Sequence, residues 1–472
     1  MLLTLADILE ALTGTRPVGT ELVITEASID SRLSIPGSLF VAMSGERVDG
    51  HNYVGDAFHK GAHLALIQKD LSSIFPVLDL TDPSRPLPDQ LPKVPFCILV
   101  KDTLLALQQI AAFWRSRLNV QVIGITGSVG KSTTKELIAD MLAHKFRTLR
   151  NPGNLNNEIG LPLTILRLGS GYQYAVLEMG FYVPGEIALL CGIARPQVGV
   201  VTNIGTVHAE RAGSQEVIAR GKSELVKALP EDGTAILNYD DPWVRPMAQV
   251  TRAGVLTYGL DPQADLWASH VTGQGLDGIQ FDLHHKTETF QLRVPLIGQH
   301  SVHTVLRAAA VGVALGMSWD DIISGLRFSR TQLCLVAVHA TNGAMILDDT
   351  YNASPESTLA ALNLLEEMDG RKVAVLGDML ELGPYEIEGH EKVGIRAAEV
   401  ARQLITLGER GRIIARAARE AGLSEKHILA LDEPQQAVDF LKSFLLPDDV
   451  VLVKGSHGMR MDKIVSALEG ES

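Results

Sequence analysis

One stretch constrains this chain more than any other. Val122-Ile-Gly-Ile-Thr-Gly-Ser-Val-Gly-Lys-Ser-Thr-Thr134 is a short apolar run that passes through glycines into a lysine-led polar segment. The apolar run predicts a buried strand, and the residues after it predict a helix beginning near Lys131. Gly127 and Gly130, on either side of Ser128, let backbone N–H groups turn toward an anion, and a helix N-terminus adds a favourable dipole. Lys131 puts a positive charge on the terminal phosphates of a nucleotide, and Ser132, followed by Thr133, offers a hydroxyl to magnesium. A glycine turn packing a strand against a helix is the bland alternative. The coincidence of strand, glycine loop, lysine and hydroxyl argues for phosphate binding.

A strand that feeds such a loop opens an α/β domain, and the chain around it alternates accordingly. The spacing of Leu104, Leu105, Leu107, Ile110, Ala111 and Trp114 predicts a helix over 101–117, followed by a strand over 120–126. Further short apolar runs at 174–177, 198–202 and 234–238 complete a mostly parallel sheet in this central domain, 101–328. A C-terminal Rossmann-like α/β domain, 329–472, is predicted from runs at 345–347, 372–376, 404–407 and 450–453. The first domain, 1–100, mixes β-branched residues with turns such as Pro36-Gly37 and reads as small and α+β. Pro76, Pro83, Pro86, Pro88, Pro92 and Pro95 predict a surface loop, since proline breaks helices and central strands.

With 472 residues, the chain has room for two to four domains with buried cores. Lys plus Arg total 42 and Asp plus Glu 55, a formal charge of −13, which disfavours a broad grip on nucleic acid or anionic membrane. Any phosphate site is therefore local. Cys97, Cys191 and Cys334 have no CxxC spacing, so neither a disulfide framework nor a zinc knuckle is suggested, and a reducing cytoplasm fits. The N-terminal MLLTLADILEALTG carries Asp7 and Glu10 inside its apolar pattern and reads as an amphipathic helix. The most apolar stretch, 308–317, is too short for a membrane span of roughly 20 residues.

The loop lacks the ordinary phosphate-loop spacing, which wants glycine where Ile125 stands; it reads TGxxGKST. In its longer form, GITGSVGKSTTKE, it resembles the Mur ligases, ATP-dependent amide-forming enzymes of peptidoglycan precursor synthesis. The match continues, in that family's order, through Asn154-Leu-Asn-Asn-Glu-Ile-Gly-Leu-Pro162, Leu177-Glu-Met-Gly180 and Val201-Thr-Asn-Ile-Gly205 with His208. It resumes at Ala219-Arg-Gly-Lys-Ser-Glu224, Asn238-Tyr-Asp-Asp241, Asp348-Asp-Thr-Tyr-Asn-Ala-Ser-Pro355, Leu376-Gly-Asp-Met-Leu-Glu-Leu-Gly383 and Lys454-Gly-Ser456. The DDTYNASP and LGDMLELG runs look most like members that join D-alanyl-D-alanine to UDP-N-acetylmuramoyl-tripeptide, and the DNPR motif usual in diamino-acid-adding members is absent.

The resemblance implies ATP and Mg2+ as cofactors, those two substrates as partners, no nucleic acid, no membrane span and a monomer. Glu178, His208 and Ser132 are implied as magnesium ligands, with Lys131 and His208 catalytic and His300, Asp349 and Asn352 at the nucleotide. Lys222 is the least obvious residue. On spacing, Lys222 and Lys227 read as a solvated helix face; the resemblance instead implies a carbamylated Lys222 ligating magnesium and acting in catalysis. Asn156, Asn157 and Lys454 are implied at the substrates. In the first domain Asp30-Ser31-Arg32, Pro36-Gly-Ser-Leu-Phe40 and Asp49-Gly50-His51 resemble the segments that hold the uridine nucleotide, so Ser31, Arg32, Asp49, Gly50 and His51 are implied there. The same residues are also ordinary turn formers. Ser357 reads as a helix cap.

The chain departs from the family at several points. Gly298-Gln-His300 is followed by Ser301 and Thr304 where the family has asparagines at the adenine, Cys334 falls where it has an arginine, and its KGSR appears as Lys454-Gly-Ser-His457. Competing readings are another amino-acid-adding Mur ligase, a folylpolyglutamate-synthetase-like ligase, or an NTP-driven switch that turns over nucleotide without making an amide.

Overall fold

The computed structural model describes residues 2–45, 48–206, 209–327 and 336–469, and of Ala212 the backbone alone. Three sheets follow one another along the chain. Within each, buried aliphatic strands are covered by the apolar faces of helices, and each fully buried Leu, Ile or Val contributes about 1.5–3 kcal/mol.

The first sheet has five strands, all paired parallel, in the order Ala27–Ser28, Leu39–Val41, Leu64–Ile67, Phe96–Leu99 and Val77–Asp79. Val77–Asp79 corrects the expectation of a featureless proline loop. It lies at the sheet edge, where a neighbouring proline interrupts no ladder on its outer side. The expected N-terminal helix is Leu5–Thr13, started by a Thr4–Asp7 capping box and stopped by Gly14 in the left-handed conformation. The helix Thr103–Ser116 ties the first unit to the second. Trp114 is fully buried and donates its indole N–H to the Leu168 carbonyl at 2.9 Å.

The second sheet has nine strands. Gln121–Thr126 lies between Tyr174–Glu178 and Val198–Val201, all parallel, with Thr148–Arg150 at the edge beyond Tyr174–Glu178. The chain leaves Gln121–Thr126 toward one side and later crosses to the other. The carboxyl ends of these strands therefore border the topological switch point where α/β sheets bind ligands. Beyond Val198–Val201 come Thr234–Asn238, Gly254–Gly259, Leu266–Gly273, Ile279–His285 and Glu288–Val294, the last three paired antiparallel. The sequence reading stopped at Thr234–Asn238. Of the four strands after it, the last three bury alternate residues such as Leu266 and Ala268, Phe281 and Leu283, and Leu292 and Val294. That period-two signal is weaker than the continuous apolar runs of a strand covered on both faces.

The third sheet runs Val336–His339, Met345–Asp349, Asp449–Lys454, Arg371–Gly377, Gln403–Leu407 and Ile428–Leu431. Its pairings are parallel except at the first strand. The apolar runs read from sequence at 345–347, 372–376, 404–407 and 450–453 all lie inside these strands. Among the described residues no helix is long and apolar enough to cross a membrane.

Candidate active site

The second and third sheets turn carboxyl edges toward one cavity of about 760 Å3. Gly130, Lys131, Ser132 and Glu178 line it from one side, and Asp349 and Lys454 from the other. The glycine loop is shaped by what lies under it. Gly127 has φ +145, and a β-carbon there would stand 1.8 Å from Thr202 Oγ1, so only glycine fits. Asn203 clamps the loop in both directions: its Oδ1 accepts from the Val129 N–H at 2.9 Å and its Nδ2 donates to the Val129 carbonyl at 3.1 Å. Ser128 Oγ accepts from the Gly205 N–H at 2.9 Å. The Val201-Thr-Asn-Ile-Gly205 motif thus fixes the shape of the loop. Gly130, left-handed, caps the helix Lys131–Ala143, whose first turn holds Ser132 and Thr133 at the cavity.

Lys131, Lys222 and Glu178 meet below this turn, with Lys135 Nζ 3.9 Å from Glu178. Lys131 Nζ donates to the carbonyls of Gly127 at 3.0 Å and Ser128 at 3.2 Å, and Lys222 Nζ donates to the same Gly127 carbonyl at 2.9 Å. Glu178 is held at both oxygens, by the Ser132 hydroxyl and the Asn156 amide, each at 2.7 Å. Burial lowers the Lys131 pKa, offset in part by Glu178. Burial pushes Lys222 well below its ordinary value, and the neighbouring Lys131 charge pushes it further, against the pull of Glu178.

Lys222 corrects the solvated-face reading. It is 1% exposed, it lies under the loop rather than in the cavity wall, and its Nζ is 4.8 Å from the Phe181 ring centroid. Gly221 makes room for that ring, since a β-carbon there would stand 2.1 Å from it. The carboxylate and hydroxyl oxygens of Glu178 and Ser132 are the hard donors magnesium takes, so this corner fits the ion. His208 lies outside the described residues, as does Cys334.

Lys135 was missed by the sequence reading although it belongs to the quoted loop motif. It is 1% exposed and donates to the carbonyls of Asn151 and Gly153, each at 2.9 Å, so it fixes the segment that carries Asn156. Asn157 acts locally: its Oδ1 accepts from the Gly160 N–H at 2.8 Å at the start of the helix Gly160–Leu166.

On the far wall, Asp349 and Lys454 pair at 2.7 Å, and Lys454 also donates to the Asn352 carbonyl at 2.9 Å. Burial raises the Asp349 pKa against the pull of Lys454. His300 lines the cavity and is exposed to it, and its enclosing walls, with the nearby His303, Lys454 and Arg307, lower its pKa. The Ser301 hydroxyl donates to the Ile297 carbonyl at 2.7 Å, and Thr304 Oγ1 accepts from Arg307 Nη2 at 2.7 Å. The cap of the helix Pro355–Glu367 is Ser354; Ser357, expected there, closes the capping box from the third helical position.

The first-domain residues do not line this cavity. Asp30 caps the turn Ser31–Leu33 and binds the Arg32 guanidinium, whose side chain is 84% exposed. Asp49 accepts from His51 at Nδ1 and pairs with Lys69, both of which hold its carboxyl well below the usual range. His51 Nε2 accepts from the Gln68 N–H at 3.0 Å, so the ring is clamped between two segments. Gly50 passes so close to Met43 that a β-carbon would stand 2.8 Å from its backbone nitrogen.

The fold and this site define an ATP-dependent ligase built on a glycine phosphate loop, with a second α/β unit across the cavity. Three family profiles match in order: Mur ligase family, catalytic domain over 23–115; Mur ligase middle domain over 125–312; and Mur ligase, glutamate ligase domain over 330–457. The chain is 35% identical to UDP-N-acetylmuramoyl-tripeptide--D-alanyl-D-alanine ligase of Bacillus subtilis over 98% of each chain. It is 34% identical to the ligase of the same name from Escherichia coli over 99% of this chain and 98% of that one. A crystal structure of MurF from Acinetobacter baumannii superposes with TM-score 0.84 at 30% identity, covering 99% of both chains. The MurF ligase of Thermotoga maritima in complex with ADP superposes with TM-score 0.78 at 27% identity, over 97% of this chain and 98% of that one. The chain belongs to the Mur ligase family.

Proposed function

We propose that this chain joins D-alanyl-D-alanine to UDP-N-acetylmuramoyl-tripeptide at the expense of ATP, as the printed names of its full-length relatives describe for them. The observation that carries the reading is the cavity itself, with Lys131 and Glu178 on one wall facing Asp349 and Lys454 on the other. In the reaction a carboxylate oxygen of the tripeptide attacks the γ-phosphorus of ATP, the bond to the β-phosphate oxygen breaks, and ADP leaves. The dipeptide amine then attacks the acyl phosphate carbon; phosphate departs with the C–O bond and the amine loses a proton.

The protein's tasks are charge neutralisation, positioning and exclusion of water. Lys131 meets the negative charge that builds on the phosphoryl oxygens, and loop N–H groups orient it. Asn156 and Ser132 hold the Glu178 carboxylate in one orientation. Glu178 and Ser132, with His208 and Lys222 as its carbamate, would hold magnesium, which would supply further charge neutralisation. The carbamate is supported by burial, which favours the neutral amine: that nitrogen adds to carbon dioxide and releases a proton, leaving an anion beside Lys131. Lys454 holds Asp349 and Asn352, with His300 nearby, for nucleotide contact.

On this reading residues 1–100 hold the uridine nucleotide through Ser31, Arg32, Asp49, Gly50 and His51. Residues 101–328 hold ATP, and 329–472 close over both, with Asn156 and Lys454 toward the substrates. ATP and UDP-linked sugars are cytoplasmic metabolites, so on this reading the enzyme acts in the cytoplasm. The test is incubation with ATP, magnesium, a UDP-muramoyl-tripeptide and D-alanyl-D-alanine, with mass detection of product and measurement of phosphate. Amide product and phosphate release that needs both substrates are expected. Equal phosphate release with either substrate omitted overturns the reading.

A further inference from the structure

Two arginines among the described residues are buried, Arg115 and Arg307, each 4% exposed. Their surroundings differ. Arg115 is saturated by backbone, with Nε on the Ala194 carbonyl at 2.7 Å, Nη1 on Leu118 at 3.0 Å and Nη2 on Val120 at 2.8 Å. It is a structural tie. Arg307, on the helix Val302–Ala314, has Nη2 on Thr304 Oγ1 at 2.7 Å and its Cζ 5.8 Å from the Tyr258 ring centroid. Its Nε has no partner, and among the described residues no carboxylate forms an ion pair with it.

Arg307 also lies where an anion would arrive. It lines the 760 Å3 cavity, and a β-carbon on Gly130 would stand 3.2 Å from its Nη2 and 3.8 Å from its Cζ. The guanidinium thus rests against the glycine from which the helix Lys131–Ala143 starts, where N–H groups and the helix dipole already favour negative charge. A buried cation without a counter-charge is costly, and a charged hydrogen bond to an incoming anion removes that cost. A neutral base or ribose does not.

We propose that Arg307 is a second phosphate-binding cation of the nucleotide site, donating to an anionic phosphate oxygen held at the Gly130 turn. The proposal rests on the reading of the cavity as an ATP site and adds a residue to it. With Thr304 Oγ1 fixing Nη2, the side chain is already oriented, so little further ordering is needed when phosphate binds.

The test compares wild type, Arg307→Met and Arg307→Lys by calorimetric binding of adenosine, ADP and ATP, and by melting with and without ADP. Methionine removes the charge and keeps most of the volume. Its Tm without nucleotide is expected to equal or exceed that of wild type, since an unpaired buried charge has gone. Its affinity for ADP and ATP is expected to fall about 10- to 100-fold, with adenosine binding within about twofold of wild type and the lysine variant between the two. Unchanged ADP affinity overturns the proposal. So does an equal loss for adenosine, or a methionine variant that fails to fold or melts well below wild type without nucleotide, either of which makes Arg307 a structural residue. Absence of ADP binding by wild type itself would overturn the ATP-site reading together with the proposal, and it is visible before any variant is made.

Discussion

Lys454→Met isolates the ion pair that holds the far wall of the cavity. Lys454 and Asp349 are register partners at the ends of adjacent parallel strands, with side chains 2% and 14% exposed. Methionine leaves the carboxylate stranded. Removing one partner of a buried pair costs about 3–5 kcal/mol, and the slight exposure of Asp349 places the expected loss near about 3 kcal/mol. Adding Asp349→Asn removes the stranded charge, so the double variant is expected to recover about 2 kcal/mol of it. The sign with pH follows. Burial raises the folded-state pKa of Asp349 above 3.8, and loss of Lys454 raises it further. The folded chain then binds more protons at this carboxyl than the unfolded chain between those values, so the Asp349 contribution to the variant's stability is greatest at low pH and falls as pH rises through the window. Its deficit against wild type is smaller at about pH 4.5 than at about pH 8. The assay is urea unfolding followed by far-UV circular dichroism and by tryptophan fluorescence. Trp114, Trp243, Trp267 and Trp319 all precede the third sheet, so the shift should appear in the former and not in the latter. A single variant within about 0.5 kcal/mol of wild type, or a double variant whose losses simply add, would refute the argument.

Lys222→Met is expected to abolish amide formation, and Lys222→Arg not to restore it, since arginine keeps the wrong charge; a carbamate signal from labelled carbon dioxide in wild type is the check, and full activity of the arginine variant would contradict it. Asn156→Ala frees one oxygen of Glu178 and is expected to raise the magnesium concentration needed for half-maximal activity about tenfold, read from a magnesium titration. His390 is buried, its Nε2 accepts from the Met379 N–H at 3.1 Å, and burial holds its pKa below 6.5. The folded chain therefore binds fewer protons than the unfolded chain just below that value, and stability falls as pH drops through the window. The fall between about pH 7 and pH 5 should be shallower in His390→Asn, and an identical slope would remove His390 as its cause.

What the sequence determined by itself was local in origin. The strand, glycine turn and helix from Val122 to Thr134 follow from backbone freedom and apolar periodicity, and the parallel strands of the second and third sheets follow from runs buried on both faces. The phosphate loop was therefore legible residue by residue, and so was the alternation that carries it. The antiparallel strands between Leu266 and Val294 were less so, because one buried face leaves only every second residue apolar. Burial of charged side chains was not legible at all. Lys222 reads as a solvated helix face until the packing of Phe181 over Gly221 closes above it, and Lys135 carries no mark of burial in its neighbours along the chain. The same holds for the pairing of Lys454 with Asp349, residues separated by about a hundred positions that meet because two strands lie in register. Which cations lose water and which anions face them is a property of contacts distant in sequence, and only the tertiary structure decides it.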